Sequence, residues 1–151
     1  MKKTIGTAES CTGGLLAKLL TNAPGASRYY LGGVIAYHNL AKEKLLGVSS
    51  ATLSKFGAVS EETAKKMAMG VKKRLGADLG MSITGIAGPS GGTKEKPVGL
   101  VYIALAEGNR VIGKKFIFTG TRNAVRAKAA KTALAWVRRA GVGAGSRLRS
   151  K

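Results

Sequence analysis

Apolar positions recur along the chain with two periods, and the alternation of those periods outlines a layered α/β domain. Residues 3–9 read as a first strand that stops at Ser10-Cys11-Thr12-Gly13-Gly14. Leu15, Leu16, Leu19 and Leu20 follow at spacings that share one helix face, and Asn22-Ala23-Pro24-Gly25 ends that helix. Residues 29–37, rich in β-branched and aromatic side chains, predict a second strand with Tyr29 and Tyr37 packing on one face. A short helix is expected over 39–46, stopped by Gly47. Ser60-Glu61-Glu62-Thr63 opens a longer one, because Ser60 can cap and the acids sit in the first turn. Its Ala64, Met67, Ala68 and Val71 hold helical spacing as far as Gly76. Residues 78–86 read as a buried strand, and 98–106 with 110–118 as a hairpin around Glu107-Gly108-Asn109. A final helix is expected over 122–139, with Val125, Ala129, Leu134 and Val137 on its apolar side. No repeat is evident. The organisation expected is one domain over 1–140 and a basic, glycine-rich flexible tail over 141–151.

Composition narrows the class. A chain of 151 residues with 44% hydrophobic and 22% charged residues can bury one core and is not compositionally disordered. No apolar run approaches the roughly 18 residues of a membrane span. The basic start Met1-Lys2-Lys3 leads into no apolar leader segment. The expectation is a cytoplasmic protein without a membrane partner. The single cysteine, Cys11, excludes an internal disulfide, and with His38 it gives little support for a metal site, so no cofactor is called for.

Charge is the unusual property. Lys and Arg number 26 against 7 Asp and Glu, a net +19, and twelve basic residues follow Glu107 with no acidic one among them. Such a surface attracts phosphates and nucleic acid, or is simply a solvated basic face. Aromatic residues are only 5%, so stacking platforms are scarce and a nucleic-acid partner is not favoured.

Candidate chemistry gathers in three loops: residues 8–14, 37–42 and 85–97. Each follows a strand. If those strands are parallel, the loops meet at the carboxyl rim of the sheet, where α/β folds bind ligands. Ser10 stands at a strand-to-helix turn. It either caps the helix or acts as a nucleophile, with the N–H groups of Thr12, Gly13 and Gly14 at the positive helix end holding an oxyanion or phosphate. A base is then needed. His38 is one candidate and otherwise a loop histidine. Lys42, near a helix N-terminus that would favour its neutral form, is another and otherwise a surface lysine. Cys11 is a third nucleophilic group, or a small buried residue. Arg122 and Arg126 lie one helical turn apart and either grip an anion together or belong to the basic face. Trp136 reads as a core or oligomer contact.

Taken together, these motifs resemble the C-terminal domain family of the competence/damage-inducible protein CinA, whose stand-alone members include nicotinamide-nucleotide amidohydrolases. The matching residues are Thr7 to Gly14, Val34 to Lys42, Gly57-Ala58-Val59-Ser60, Gly85 to Pro89 with Gly91-Gly92, Lys96-Pro97-Val98-Gly99, and Arg122 with Arg126. The resemblance covers roughly residues 4 to 137. It implies a three-layer α/β/α domain with a mixed, mostly parallel sheet. It also implies hydrolysis of the carboxamide of nicotinamide mononucleotide to nicotinate mononucleotide and ammonia. Ser10 and Lys42 map onto the catalytic pair, with Tyr37 as a hydrogen-bonding partner. Asn39, Gly88, Gly91, Gly92 and the arginines are expected around the substrate, with the 88–92 loop and an arginine on its phosphate. A homo-oligomer, dimer or trimer, is expected too.

Two departures stand out. Relatives carry a helix before the first strand, whose lack here would uncover apolar sheet surface. Gly120-Thr121-Arg122 replaces a Gly-Asp-Arg pattern, which puts the arginine's orientation in question. A catalytically silent nucleotide-binding module is the alternative function, and a basic nucleic-acid-associated protein a more distant one.

Overall fold

The computed structural model describes residues 2–143. Five strands form one sheet in the order β2-β1-β3-β4-β5, comprising β1 (Ile5–Glu9), β2 (Tyr30–Ile35), β3 (Leu79–Gly85), β4 (Leu100–Glu107) and β5 (Arg110–Ile117). β1 pairs in parallel with both β2 and β3, while β3–β4 and β4–β5 are antiparallel, so only β4 runs against the others. The helices are α1 (Leu15–Thr21), α2 (Asn39–Leu46), α3 (Ser50–Phe56), α4 (Glu61–Leu75) and α5 (Arg122–Arg139). None is long and apolar enough to cross a membrane.

The two sheet faces carry different layers, as the expected α/β/α arrangement requires. On one, Ile5, Met81, Ile83 and Ile103 pack with Leu16 and Leu20 of α1 and with Val125, Ala129 and Val137 of α5. On the other, Ala8 packs with Leu46 of α2, Leu53 of α3, and Met67 and Val71 of α4. α4 is pressed unusually close to its neighbours. A Cβ on Gly70 would lie 1.9 Å from the Leu46 carbonyl oxygen, and one on Gly80 of β3 would lie 2.1 Å from that of Ala68. Both positions exclude any side chain.

Several boundaries differ from the sequence reading. Residues 29 and 37 both lie outside β2. Tyr29 follows a single 3-10 turn (Ala26–Arg28) and its hydroxyl donates to the Leu20 carbonyl, whereas Tyr37 is 59% exposed beyond the strand end, so the two do not pack together. α3 had no clear signature because only Leu53 of its seven residues is buried, and its start rests on a Ser49 cap accepting from the Thr52 N–H. Val142, inside the segment expected as tail, is instead buried against the α1–α5 side of the core. Residues 144–151 of that segment lie outside the described residues. Beside α5 the sheet leaves Ile112 of β5 more than half exposed.

Candidate active site

The connection after β1 covers one face of the sheet and the connection after β2 covers the other. A crevice therefore opens where they part, at the carboxyl ends of β1, β2 and β3. The ladder continues one residue past the strands: the Ser10 N–H donates to the Ile83 carbonyl (2.9 Å), and the Ala36 N–H to that of Glu9 (2.8 Å). Ser10 is therefore held by backbone at the end of the central strand. Strand alternation does the rest. Ile5, Thr7 and Glu9 face α1 and α5, whereas Ala8 and Ser10 face α2 and α4.

Lys42 comes from the fourth residue of α2, and helical side chains lean back toward the N-terminus, here toward the rim. Its Nζ lies 3.2 Å from Ser10 Oγ and donates to the Ala36 carbonyl at 2.9 Å. The side chain is 1% exposed, and no carboxylate pairs with it among the described residues. Burial lowers its pKa from the ordinary lysine value, with the Cys11 thiol opposing slightly, so the amine is available as a base at lower pH than a surface lysine. Desolvation is the main cause, rather than the helix end expected from the sequence.

Glu9 explains why the start of α1 cannot bind an anion. Its carboxylate, 1% exposed, accepts from Thr12 Oγ1 (2.7 Å), the Leu16 N–H (2.8 Å) and the Ala17 N–H (3.1 Å). The positive helix end is thus already occupied by the protein's own acid. Gly13 and Gly14, at φ of 57° and 104°, supply the left-handed turn into α1, and the Gly13 N–H returns to the Ser10 carbonyl. Thr12 is fully buried. These three residues shape the turn and do not line the cleft.

The cleft has a volume of about 280 Å³. That is just below the roughly 300–1,000 Å³ usual for small-molecule sites, which suits a small ligand. Ser10, Cys11 and Lys42 line it together with Tyr37, Asn39, Gly88 and Gly91. Larger hollows beside Leu105 and Ile112 contain no such pair of groups. Arg122 spans the mouth, donating to the Gly88 carbonyl (2.8 Å) and to the Tyr37 hydroxyl (2.7 Å). The threonine replacing an expected aspartate does not disturb it. Thr121 caps α5 by accepting from the Ala124 N–H, and Arg122 is oriented by those two partners.

Three other expected residues stand apart from the cleft. Arg126 turns the other way and donates to the carbonyls of Cys11 and Thr12. Gly92 packs against the Val98 backbone. His38 accepts from the Leu40 N–H and so caps α2 instead of serving Ser10. Cys11 borders the cleft at 5% exposure, and burial pushes its thiol up to about 11, so at neutral pH it is protonated. The sequence reading gave no site role to Ser90, Thr84, Ala58 and Val59, which line the cleft. Ser90 was legible as a hydroxyl within a glycine-rich loop. Ala58 and Val59 stood within the Gly57-to-Ser60 motif that the family resemblance picks out, and Thr84 had no signal short of the fold.

The profile of the CinA C-terminal domain family matches residues 1–140. A CinA-like protein of Kosmotoga olearia is 58% identical over 137 residues, 91% of this chain and 33% of that protein. A putative competence-damage inducible protein of Thermoanaerobacter pseudethanolicus is 52% identical over 138 residues, with the same coverage of each. The chain thus spans about a third of the length of these curated relatives. Among solved structures, the competence/damage inducible protein CihA from Agrobacterium tumefaciens is similar with a TM-score of 0.89 at 42% identity, over 91% of this chain and 85% of that one. A competence-damaged protein (CinA) superfamily member from Escherichia coli gives 0.88 at 37% identity, over 92% and 81%.

Proposed function

The chain belongs to the CinA C-terminal domain family, and on that premise we propose that it is a serine amidohydrolase that converts nicotinamide mononucleotide to nicotinate mononucleotide and ammonia. The observation that carries this reading is the 3.2 Å approach of Lys42 Nζ to Ser10 Oγ, with the amine buried and unpaired by any acid among the described residues. A lysine in that setting has few structural uses. It contributes no ion pair and is costly to bury charged, whereas as a neutral amine it is a base within reach of a hydroxyl.

The chemistry follows from that contact. Neutral Lys42 takes the Ser10 proton as Oγ bonds to the carboxamide carbon. The tetrahedral adduct collapses with cleavage of the C–N bond, and Lys42 returns the proton to the leaving ammonia. Water, deprotonated by the same amine, then cleaves the ester and restores Ser10. Arg122 at the mouth is the cation for the substrate's phosphate, beside the glycine-rich wall of Gly88 and Gly91. The small cleft suits a mononucleotide better than a polymer.

The test is ammonia release from nicotinamide mononucleotide by wild type, Ser10→Ala and Lys42→Ala. Release by the wild type alone supports the reading. A folded wild type that binds the mononucleotide and releases nothing overturns it in favour of a binding module.

A further inference from the structure

Arg126 is part-buried, lies outside the cleft, and spends its guanidinium on two consecutive backbone carbonyls of the turn that carries the nucleophile. Nε donates to the Cys11 carbonyl and Nη2 to that of Thr12, each at 3.0 Å. From the same side of the sheet, Glu9 holds Thr12 Oγ1 and the first turn of α1. Resting on the amidohydrolase reading above, we propose that Arg126 is a positioning residue: with Glu9 it clamps the turn after Ser10, so that the hydroxyl is set for attack on the carboxamide.

The argument is geometric. A trans peptide unit points its C=O and N–H in opposite directions. Fixing the Cys11 and Thr12 carbonyls toward α5 therefore fixes the N–H groups of Thr12 and Gly13 away from it. The Gly13 N–H agrees, since it closes the turn on the Ser10 carbonyl at 3.1 Å. The peptide units on both sides of Thr12 are thereby fixed within the turn that follows Ser10. A turn held in this way keeps the Ser10 hydroxyl at its 3.2 Å approach to Lys42 Nζ. The clamp also explains why two arginines one helical turn apart do different work. Arg122, at the first residue of α5, reaches the cleft mouth, whereas Arg126 reaches beneath the nucleophile turn. Gly13 shares in the contact, because a Cβ there would sit 3.3 Å from Arg126 Nη2.

The experiment separates this role from phosphate binding and from the function itself. Acylation of Ser10 by p-nitrophenyl acetate is followed by phenolate release and by the acetyl mass on Ser10, with Ser10→Ala as the blank. Affinity for nicotinamide mononucleotide is measured by calorimetry in the same proteins. Arg126→Gln is expected to acylate about a hundredfold more slowly, the scale of loss from a misplaced reacting group, with mononucleotide affinity held within about twofold. Arg126→Lys, which can reach one carbonyl but not both, is expected to recover part of the rate. It also serves as the folded comparison if Arg126→Gln fails to fold. Unchanged acylation with roughly tenfold weaker affinity overturns the proposal and makes Arg126 an anion ligand. Full recovery by Arg126→Lys also overturns it, since charge alone would then suffice. If the wild type acylates but releases no ammonia from the mononucleotide, the amidohydrolase reading fails while the Arg126 comparison is still decided. No acylation of the wild type overturns both.

Discussion

The Arg122 guanidinium and the Tyr37 hydroxyl meet at 2.7 Å across the mouth of the cleft, joining the start of α5 to the segment between β2 and α2. Each lies largely outside the core, so the contact governs access more than folding. Arg122→Gln is expected to raise KM for the mononucleotide by roughly 10- to 100-fold, the value of one or two lost charge-assisted hydrogen bonds, with a smaller change in kcat. Tyr37→Phe removes only a partner of that arginine and should shift KM by a few-fold. Steady-state kinetics beside a melting curve checks both, and the melting temperatures should stay near the wild-type value.

Lys42 gives the pH dependence its direction. Because burial lowers its pKa, turnover should rise with pH along a limb below the ordinary lysine range of about 10.4, and Lys42→Ala should lower kcat by about 100- to 10,000-fold. Stability runs the same way. Between the lowered folded pKa and the unfolded one, only the unfolded chain holds the proton, so rising pH stabilises the native state through that window. Urea melts of wild type and Lys42→Met across pH should therefore converge or diverge with pH, not run parallel. Parallel curves would mean that the amine titrates alike in both states.

Glu9 tests whether the buried acid is a structural anion. In Glu9→Gln one amide oxygen remains to accept, but the amide nitrogen cannot, so at least one of the three donors loses its partner. A cost of about 1–3 kcal/mol is expected, read as several degrees in melting temperature for a domain of this size. Loss of Ser10 acylation should accompany it, because the same carboxylate shapes the nucleophile turn.

Cys11 sits beside Ser10 yet is expected to be silent. With its thiol pushed up to about 11, a thiol reagent at pH 8 should modify the native protein slowly and react with one equivalent after denaturation. Cys11→Ala should keep turnover within a few-fold. Rapid native labelling with loss of activity would show instead that the thiol is reactive from the cleft.

Gly70→Ala offers a test at a distance. Alanine favours a helix interior by roughly 1 kcal/mol over glycine, but here its methyl would meet the Leu46 carbonyl at 1.9 Å. The clash should win, costing on the order of 1–3 kcal/mol. Since Lys42 rides on the helix that Leu46 ends, acylation of Ser10 should slow as well.

The sequence revealed most of the framework and about half of the site. α2 and α5 were legible to their ends because Gly47 stops the one and apolar spacing sustains the other. The meeting of three loops was legible too, as a consequence of three parallel strands. What remained hidden depended on direction rather than on residue type. Nothing local distinguishes Arg122 from Arg126, because which carbonyl each reaches is decided by the packing of α5 against the turn after β1. Likewise Glu9 reads as a strand-end acid until the fold places the first turn of α1 over it, and His38 reads as a base until it is seen capping α2.

Glu9 and Ser10 are neighbours that the pleat of β1 sends to opposite faces, and the bond to Lys42 rests on that parity. A slip of β1 by one residue against β2 and β3 would exchange them. The carboxylate would then arrive beside the buried amine and hold it as an ammonium, while α1 lost its capping anion. The chain would keep both Ser10 and Lys42 and lose the contact between them. Single-residue insertions and deletions in β1 are therefore expected to disrupt this site more than many substitutions within the cleft itself.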